Sequence, residues 1–206
     1  MNKAFFISAL LYAITTGLPA QSLNYAPDVV FGHRSFTYMH QVNGSFHYKV
    51  RLNNLVLFDT DYKNREHKLF FIRTTVSYLL TENIALNAAA GMKSPGSFLT
   101  LSAQYRLSRP GFSFAYSVGA TSQAGFTLEQ ALAFEVMPRL TATLRGYLGG
   151  SAIANVNLDG YQRGLQFIRL GLKTEMYGYG LALNLDQFNN NQKKLANGGI
   201  YFRYKF

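Results

Sequence analysis

The sequence has no cysteine and no tryptophan among its 206 residues. Without cysteine there are no disulfides, no thiolate metal sites and no lipidated cysteine anchor, while the compartment stays open. Charge is scarce as well. Lys, Arg, Asp and Glu make up 15% of the chain, well under the roughly 25% of soluble domains, so the side chains that solvate a globular surface are in short supply. Acids are the scarcer sign: 10 Asp and Glu face 20 Lys and Arg, a formal net charge of +10. Nucleic-acid binding would need those cations gathered in a patch or stripe. They are scattered singly, and no nucleic-acid partner is expected. Beyond the first residues no segment approaches the 18 continuous apolar residues of a membrane-spanning helix.

What is abundant is Gly (18), Tyr (14) and Phe (17), in a length that suits one domain. Met1-Asn2-Lys3 carries one positive charge, Ala4 to Thr16 is almost wholly apolar, and Gly17-Leu18-Pro19-Ala20 follows. This is the layout of a secretory signal peptide, predicted to span residues 1–20 with cleavage after Ala20. Residues 21–32, with Pro27 and Asp28, read as an irregular lead-in.

From residue 33 onward apolar and polar side chains alternate with a period of two, the mark of strands with unlike faces. Phe36, Tyr38 and His40 oppose Ser35, Thr37, Met39 and Gln41, and Asn43-Gly44 supplies a hairpin signal before Phe46 to Asp59. Asp61 to Lys68 is a charged loop. Phe70, Ile72, Thr74, Val76 and Tyr78 oppose Phe71, Arg73, Thr75, Ser77 and Leu79; Ile84, Leu86, Ala88, Ala90 and Met92 oppose Ala85, Asn87, Ala89, Gly91 and Lys93. The same rhythm runs through Leu99 to Arg106, Phe112 to Gly119, Phe126 to Glu135, Leu140 to Arg145, Arg163 to Lys173 and Tyr179 to Gln187. Gly149-Gly150 either turns the chain into a short extra strand over Ser151 to Leu158 or lies within a longer one. Phe188 to Asn197 is a polar loop.

No Lys, Arg, Asp or Glu falls on the apolar face of these strands. The opposite face is chiefly Ala, Gly, Ser, Thr and Asn with an occasional Arg, not the Lys and Glu of a water-facing exterior. Small polar residues suit the crowded inside of a narrow barrel, so the apolar side points outward. Tyr38, Tyr48, Tyr78, Tyr105, Tyr116, Tyr177, Tyr179 and Phe206 fit interfacial girdles. Even strand numbers hold for single-chain bacterial barrels. Twelve strands are predicted, ten being the next possibility, in a closed antiparallel up-and-down β-barrel over residues 33–206.

The last residues carry a resemblance. Ile200, Phe202, Tyr204 and Phe206 alternate with Tyr201, Arg203 and Lys205, and this segment resembles the closing strand of bacterial outer-membrane β-barrels. The resemblance implies an outer-membrane location, lipid as the surrounding partner, and Tyr204 and Phe206 as the signal read by the barrel-insertion machinery.

An outward apolar face puts Lys49, Arg51, Arg73, Lys93, Arg106, Arg145, Arg169, Lys173, Arg203 and Lys205 in the lumen with Asp59, Glu129, Glu135 and Asp186. A lumen with excess positive charge concentrates anions, so a small passive channel for anionic solutes is expected. In architecture and basic lining it is similar to twelve-stranded oligogalacturonate-type porins. A plugged structural or partner-binding barrel is the alternative, the acids each held by an Arg fork. A lipid hydrolase is another: His33-x-Ser35 resembles the His-x-Ser of outer-membrane lipid A deacylases, although Phe36 stands where that pattern has Asn. A soluble lipocalin-like binder is the third. No catalytic set, metal site or cofactor is predicted, because His40, His47 and His67 have no ligand-spaced partners.

Overall fold

The structure is a computed structural model that describes residues 23–64, 68–94, 96–123, 125–157, 160–188, 190 and 192–206. The proposed signal peptide and His67 lie outside these residues. Twelve strands close into one antiparallel barrel in which each strand pairs with its sequence neighbours and the last with the first. They are β1 (Asn24–Gly32), β2 (Ser35–His47), β3 (Val50–Asp61), β4 (Lys68–Leu79), β5 (Ile84–Lys93), β6 (Gly96–Arg109), β7 (Phe112–Ser122), β8 (Phe126–Val136), β9 (Arg145–Asn157), β10 (Gly160–Lys173), β11 (Tyr177–Phe188) and β12 (Lys193–Tyr204). The near end of the barrel is the one where β1 begins and β12 ends, and there the Phe206 amide donates to the Tyr25 carbonyl at 3.0 Å.

Inside and outside follow the period of two. Leu99, Leu101, Leu128, Ile168, Leu170, Leu181, Ile200 and Phe202 are exposed, whereas Phe71, Phe98, Tyr147, Leu165, Arg169 and Tyr201 are buried. The exposed set forms a continuous apolar belt, which water would not tolerate on a monomer and hydrocarbon does. Closure gives every strand a hydrogen-bonded neighbour on both sides, which lipid, offering no partner to a free sheet edge, requires. Leu101, 69% exposed, tests the orientation. Leu101→Arg is expected to lower stability in vesicles by about 2 to 4 kcal/mol if it meets the bilayer midplane, read by urea titration; an unchanged midpoint would put that face in water.

Four local expectations are corrected. The lead-in at 21–32 contains β1: Asn24, Ala26, Asp28 and Val30 face in and Tyr25, Pro27, Val29 and Phe31 face out, by register with β2. Pro27 is tolerated because β1 is paired with β12 only from Asp28 on, so the missing N–H lies outside that ladder. Asn43-Gly44 is not a turn; β2 runs on to His47, Gly44 pairs with Leu52, and the chain turns at Tyr48-Lys49 after a bulge. Leu140 to Leu144 is a turn between β8 and β9, and Gly149-Gly150 sits inside β9. A Cβ at Gly150 would run into the Phe134 ring and one at Gly149 into Tyr147, so these glycines are packing gaps. Finally, Phe188 to Asn197 is mostly strand, with β12 starting at Lys193.

Candidate functional site

The lumen is the candidate site, and its polar side chains are tied to one another. Asp28, 2% exposed, is held from two sides: Arg169 NH2 reaches Oδ1 at 3.1 Å and Arg203 NH2 reaches Oδ2 at 3.0 Å. Arg203 also donates to the Tyr147 hydroxyl at 2.8 Å, which donates to Glu135 at 2.8 Å. In the other direction Arg169 donates to Asn184 at 2.7 Å, Asn184 to Thr37 at 2.9 Å, and Thr37 to Asp59 at 2.6 Å. Arg34 then bridges Asp59 at 3.0 Å and Asp61 at 3.1 Å. A single hydrogen-bonded chain therefore climbs the seam of the barrel from Glu135 to Asp61. Asn197, fully buried, backs it by accepting the Arg34 and Ser35 amides at 3.1 Å each and donating to the Ser35 carbonyl at 3.0 Å.

Across the lumen Arg73 on β4 meets Glu129 on β8 at 2.6 Å, and Thr121 donates to the second Glu129 oxygen at 3.0 Å. Arg163 forks Asp186 at 3.0 and 2.7 Å. Charge-assisted forks of this kind fix geometry as well as energy. Among the described residues every inward acid, Asp28, Asp59, Asp61, Glu129, Glu135 and Asp186, thus has an arginine. Arg51 and Arg106 have no ion-pair partner among the described residues. Both line a near-end cavity of about 570 Å³ together with Gln41, Ser113 and Glu135.

A second layer is apolar. Leu57, Phe71, Phe98 and Leu165 form a buried cluster with Met39, Leu55, Leu69, Ile153 and Phe167 packed against it. These side chains come from β2, β3, β4 and β6 on one side and from β9 and β10 on the other; β3 and β4 stand opposite β9 and β10 in a ring of twelve, so the cluster crosses the full diameter. Leu57, Leu165 and Phe167 border both a middle cavity of about 240 Å³ and a far-end cavity of about 360 Å³.

The remaining sequence candidates are placed as follows. Lys93 lies inside, its amine 4.9 Å from the Phe98 ring centre, and Lys173 lies inside against Met137 and Tyr147. Arg145 is at the near mouth opposite Lys173 in the ladder and exposed. Lys49 is not in the lumen: it belongs to the β2–β3 turn, with its amine near the rings of Tyr48 and the outward Tyr78. The misplacement follows from the turn having been expected at Asn43-Gly44. Tyr204 and Phe206 pack edge to face, centroids 4.4 Å apart, with Phe206 also 5.4 Å from Tyr25 at the seam.

His33 and Ser35 are not assembled as a nucleophile and base. Ser35 is fully buried and donates to Asp59 at 2.8 Å, while the His33 Nδ1 is engaged with the Gly198 backbone at 3.1 Å. His40 faces out and bonds the Tyr38 hydroxyl at 3.0 Å; His47 lies at the turn beside Tyr48. Sequence reasoning missed Asp28, Arg34 and Arg163. Asp28 was readable in the alternation of residues 24–31 once Pro27 was allowed in a strand.

No protein-family model matches the chain, and no curated protein matches it in sequence. Among solved structures it is similar to the NanC porin, with a TM-score of 0.59 at 8% identity over 90% of this chain and 99% of that one. It is also similar to LpxR from Salmonella typhimurium, with a TM-score of 0.50 at 7% identity over 89% of this chain and 99% of that one. Likeness at such identity speaks for the fold. With the closed twelve-stranded ring and the outward apolar belt, the chain has the fold of bacterial outer-membrane β-barrels.

Proposed function

We propose that the barrel is a narrow passive channel that favours anionic solutes, and that it is not an enzyme. The observation that carries the reading is the charge balance of the lumen. All six described inward acids are paired with arginines, while Arg51 and Arg106, which have no ion-pair partner among the described residues, line the same near-end cavity. A cavity with uncompensated guanidinium groups and low-dielectric walls attracts anions and repels cations. The buried, Asp59-bound Ser35 counts against hydrolysis at His33-x-Ser35. Salt-gradient recordings on single channels test the proposal. The reversal potential is expected on the anion side, and Arg51→Gln with Arg106→Gln is expected to move it toward zero. Cation preference in the parent barrel would overturn it.

A second reading is a closed structural barrel, favoured by the apolar cluster that spans the diameter. In that case no conductance is measured, and lipid or a partner protein would be the only thing the molecule meets.

A further inference from the structure

The far-end cavity differs in chemistry from the rest of the lumen. Leu57, Leu69, Leu165, Phe167, Phe188 and Leu195 give its about 360 Å³ an apolar lining, a volume within the range of small-molecule sites. Three cations border it, of which Arg34 is already committed to Asp59 and Asp61. Lys68 has no ion-pair partner among the described residues. Arg163 uses Nε and NH2 on Asp186, its NH1 has no hydrogen-bond acceptor among the described residues, and its guanidinium sits 5.8 Å from the Phe188 ring centre. The carboxylates in the wall, Asp59 and Asp186, are already neutralised by Arg34 and Arg163.

Three kinds of occupant can be compared on these walls. A polyhydroxylated solute would give up hydrogen bonds to water and find few open partners, because the neutral polar groups of the wall are already engaged, Asn184 with Thr37 and Gln162 with Asn157. A neutral hydrocarbon would fill the floor but leave Lys68 without a counter-charge and one Arg163 nitrogen without an acceptor. One anionic head on one apolar body satisfies both.

We propose that this cavity binds an amphipathic carboxylate, a medium-chain or aryl-alkyl acid, with its body on Leu165, Phe167 and Phe188 and its carboxylate on Lys68 and the Arg163 NH1. The site stands on the far-end side of the apolar cluster and does not depend on conduction.

The chain has no tryptophan, so one introduced indole reports without background. Phe188→Trp replaces one aromatic ring on the cavity wall with another. Leu195→Trp serves if that variant fails to show the heat-modifiable gel shift of a folded barrel. In vesicles, ω-bromooctanoate is expected to quench the cavity indole saturably, with competition from octanoate and none from galacturonate. The outward Leu181→Trp reporter is expected to be quenched only in proportion to lipid partitioning. Lys68→Gln is expected to weaken binding about tenfold, the loss of one charge-assisted contact. Non-saturable quenching equal at both positions overturns the site. Equal competition by galacturonate also overturns it, since the cavity would then be a plain anion site. The channel reading is judged by reversal potentials alone, so the two fail separately.

Discussion

Asp28→Ala is expected to destabilise the barrel by about 3 to 5 kcal/mol, the range for removing one partner of a buried ion pair. Asp28 is the only described carboxylate within ion-pair distance of Arg169, whose side chain is 3% exposed, so the substitution strands a guanidinium in a site closed to water. Arg203 is less affected because Tyr147 and Glu135 remain. Urea unfolding in vesicles, followed by gel mobility without boiling, measures the loss. The double variant Asp28→Ala with Arg169→Met is expected to recover much of it, because replacing both partners by apolar groups is often neutral. A single variant within about 1 kcal/mol of the parent, the size of an exposed pair, would mean that water reaches Arg169 and that the buried network is not what holds the seam.

Truncating the apolar layer is the second large effect. Phe71 and Phe98 stack with ring centres 5.6 Å apart, and both are almost completely buried. Phe71→Ala with Phe98→Ala removes two rings from a cluster that crosses the lumen. Hydrophobic constrictions block ions by dewetting, so the double variant is expected to raise single-channel conductance several-fold. Each truncation also lowers stability, by about 3 to 5 kcal/mol for a buried Phe, but the backbone ladder of β4, β5 and β6 does not depend on either ring. If a folded double variant conducts no more than the parent, the layer is not the constriction, and the pathway is obstructed elsewhere or absent.

The architecture was legible because one rule, period-two alternation, runs through every strand and has one physical cause, lipid on one side only. Leu99, Leu101, Ile168 and Leu181 declare the outside without any knowledge of their neighbours. Boundaries were less legible. Asn43-Gly44 has the composition of a tight turn, yet the pairing of Gly44 with Leu52 overrides it. Gly149-Gly150 looks like a turn for the same reason and instead makes room for Phe134 and Tyr147. The twelve strands predicted agree in number with those found, but the count included a separate strand at Leu140 to Arg145, of which only Arg145 is in a strand, the first residue of β9, and it lacked β1. Within the lumen, alternation says which side chains point in and is silent on which meet. Arg73 and Glu129 are 56 residues apart, and Arg169 and Asp28 are 141 apart; only the curvature of the closed sheet brings such pairs together. The apolar layer left a faint trace, since Phe71 and Phe167 stood on the face assigned to small polar residues.

The ladder between β1 and β12 has five residue pairs, from Asp28↔Arg203 to Gly32↔Gly199, whereas every other junction has at least eight. That junction is also the one that no hairpin can nucleate, because Asp28 and Arg203 are 175 residues apart. Assembly should therefore proceed as a growing curved sheet whose two free margins find each other last, with the buried aspartate and its arginines acting as the clasp. Mechanical pulling or thermal stress would part the cylinder along that same line before any other.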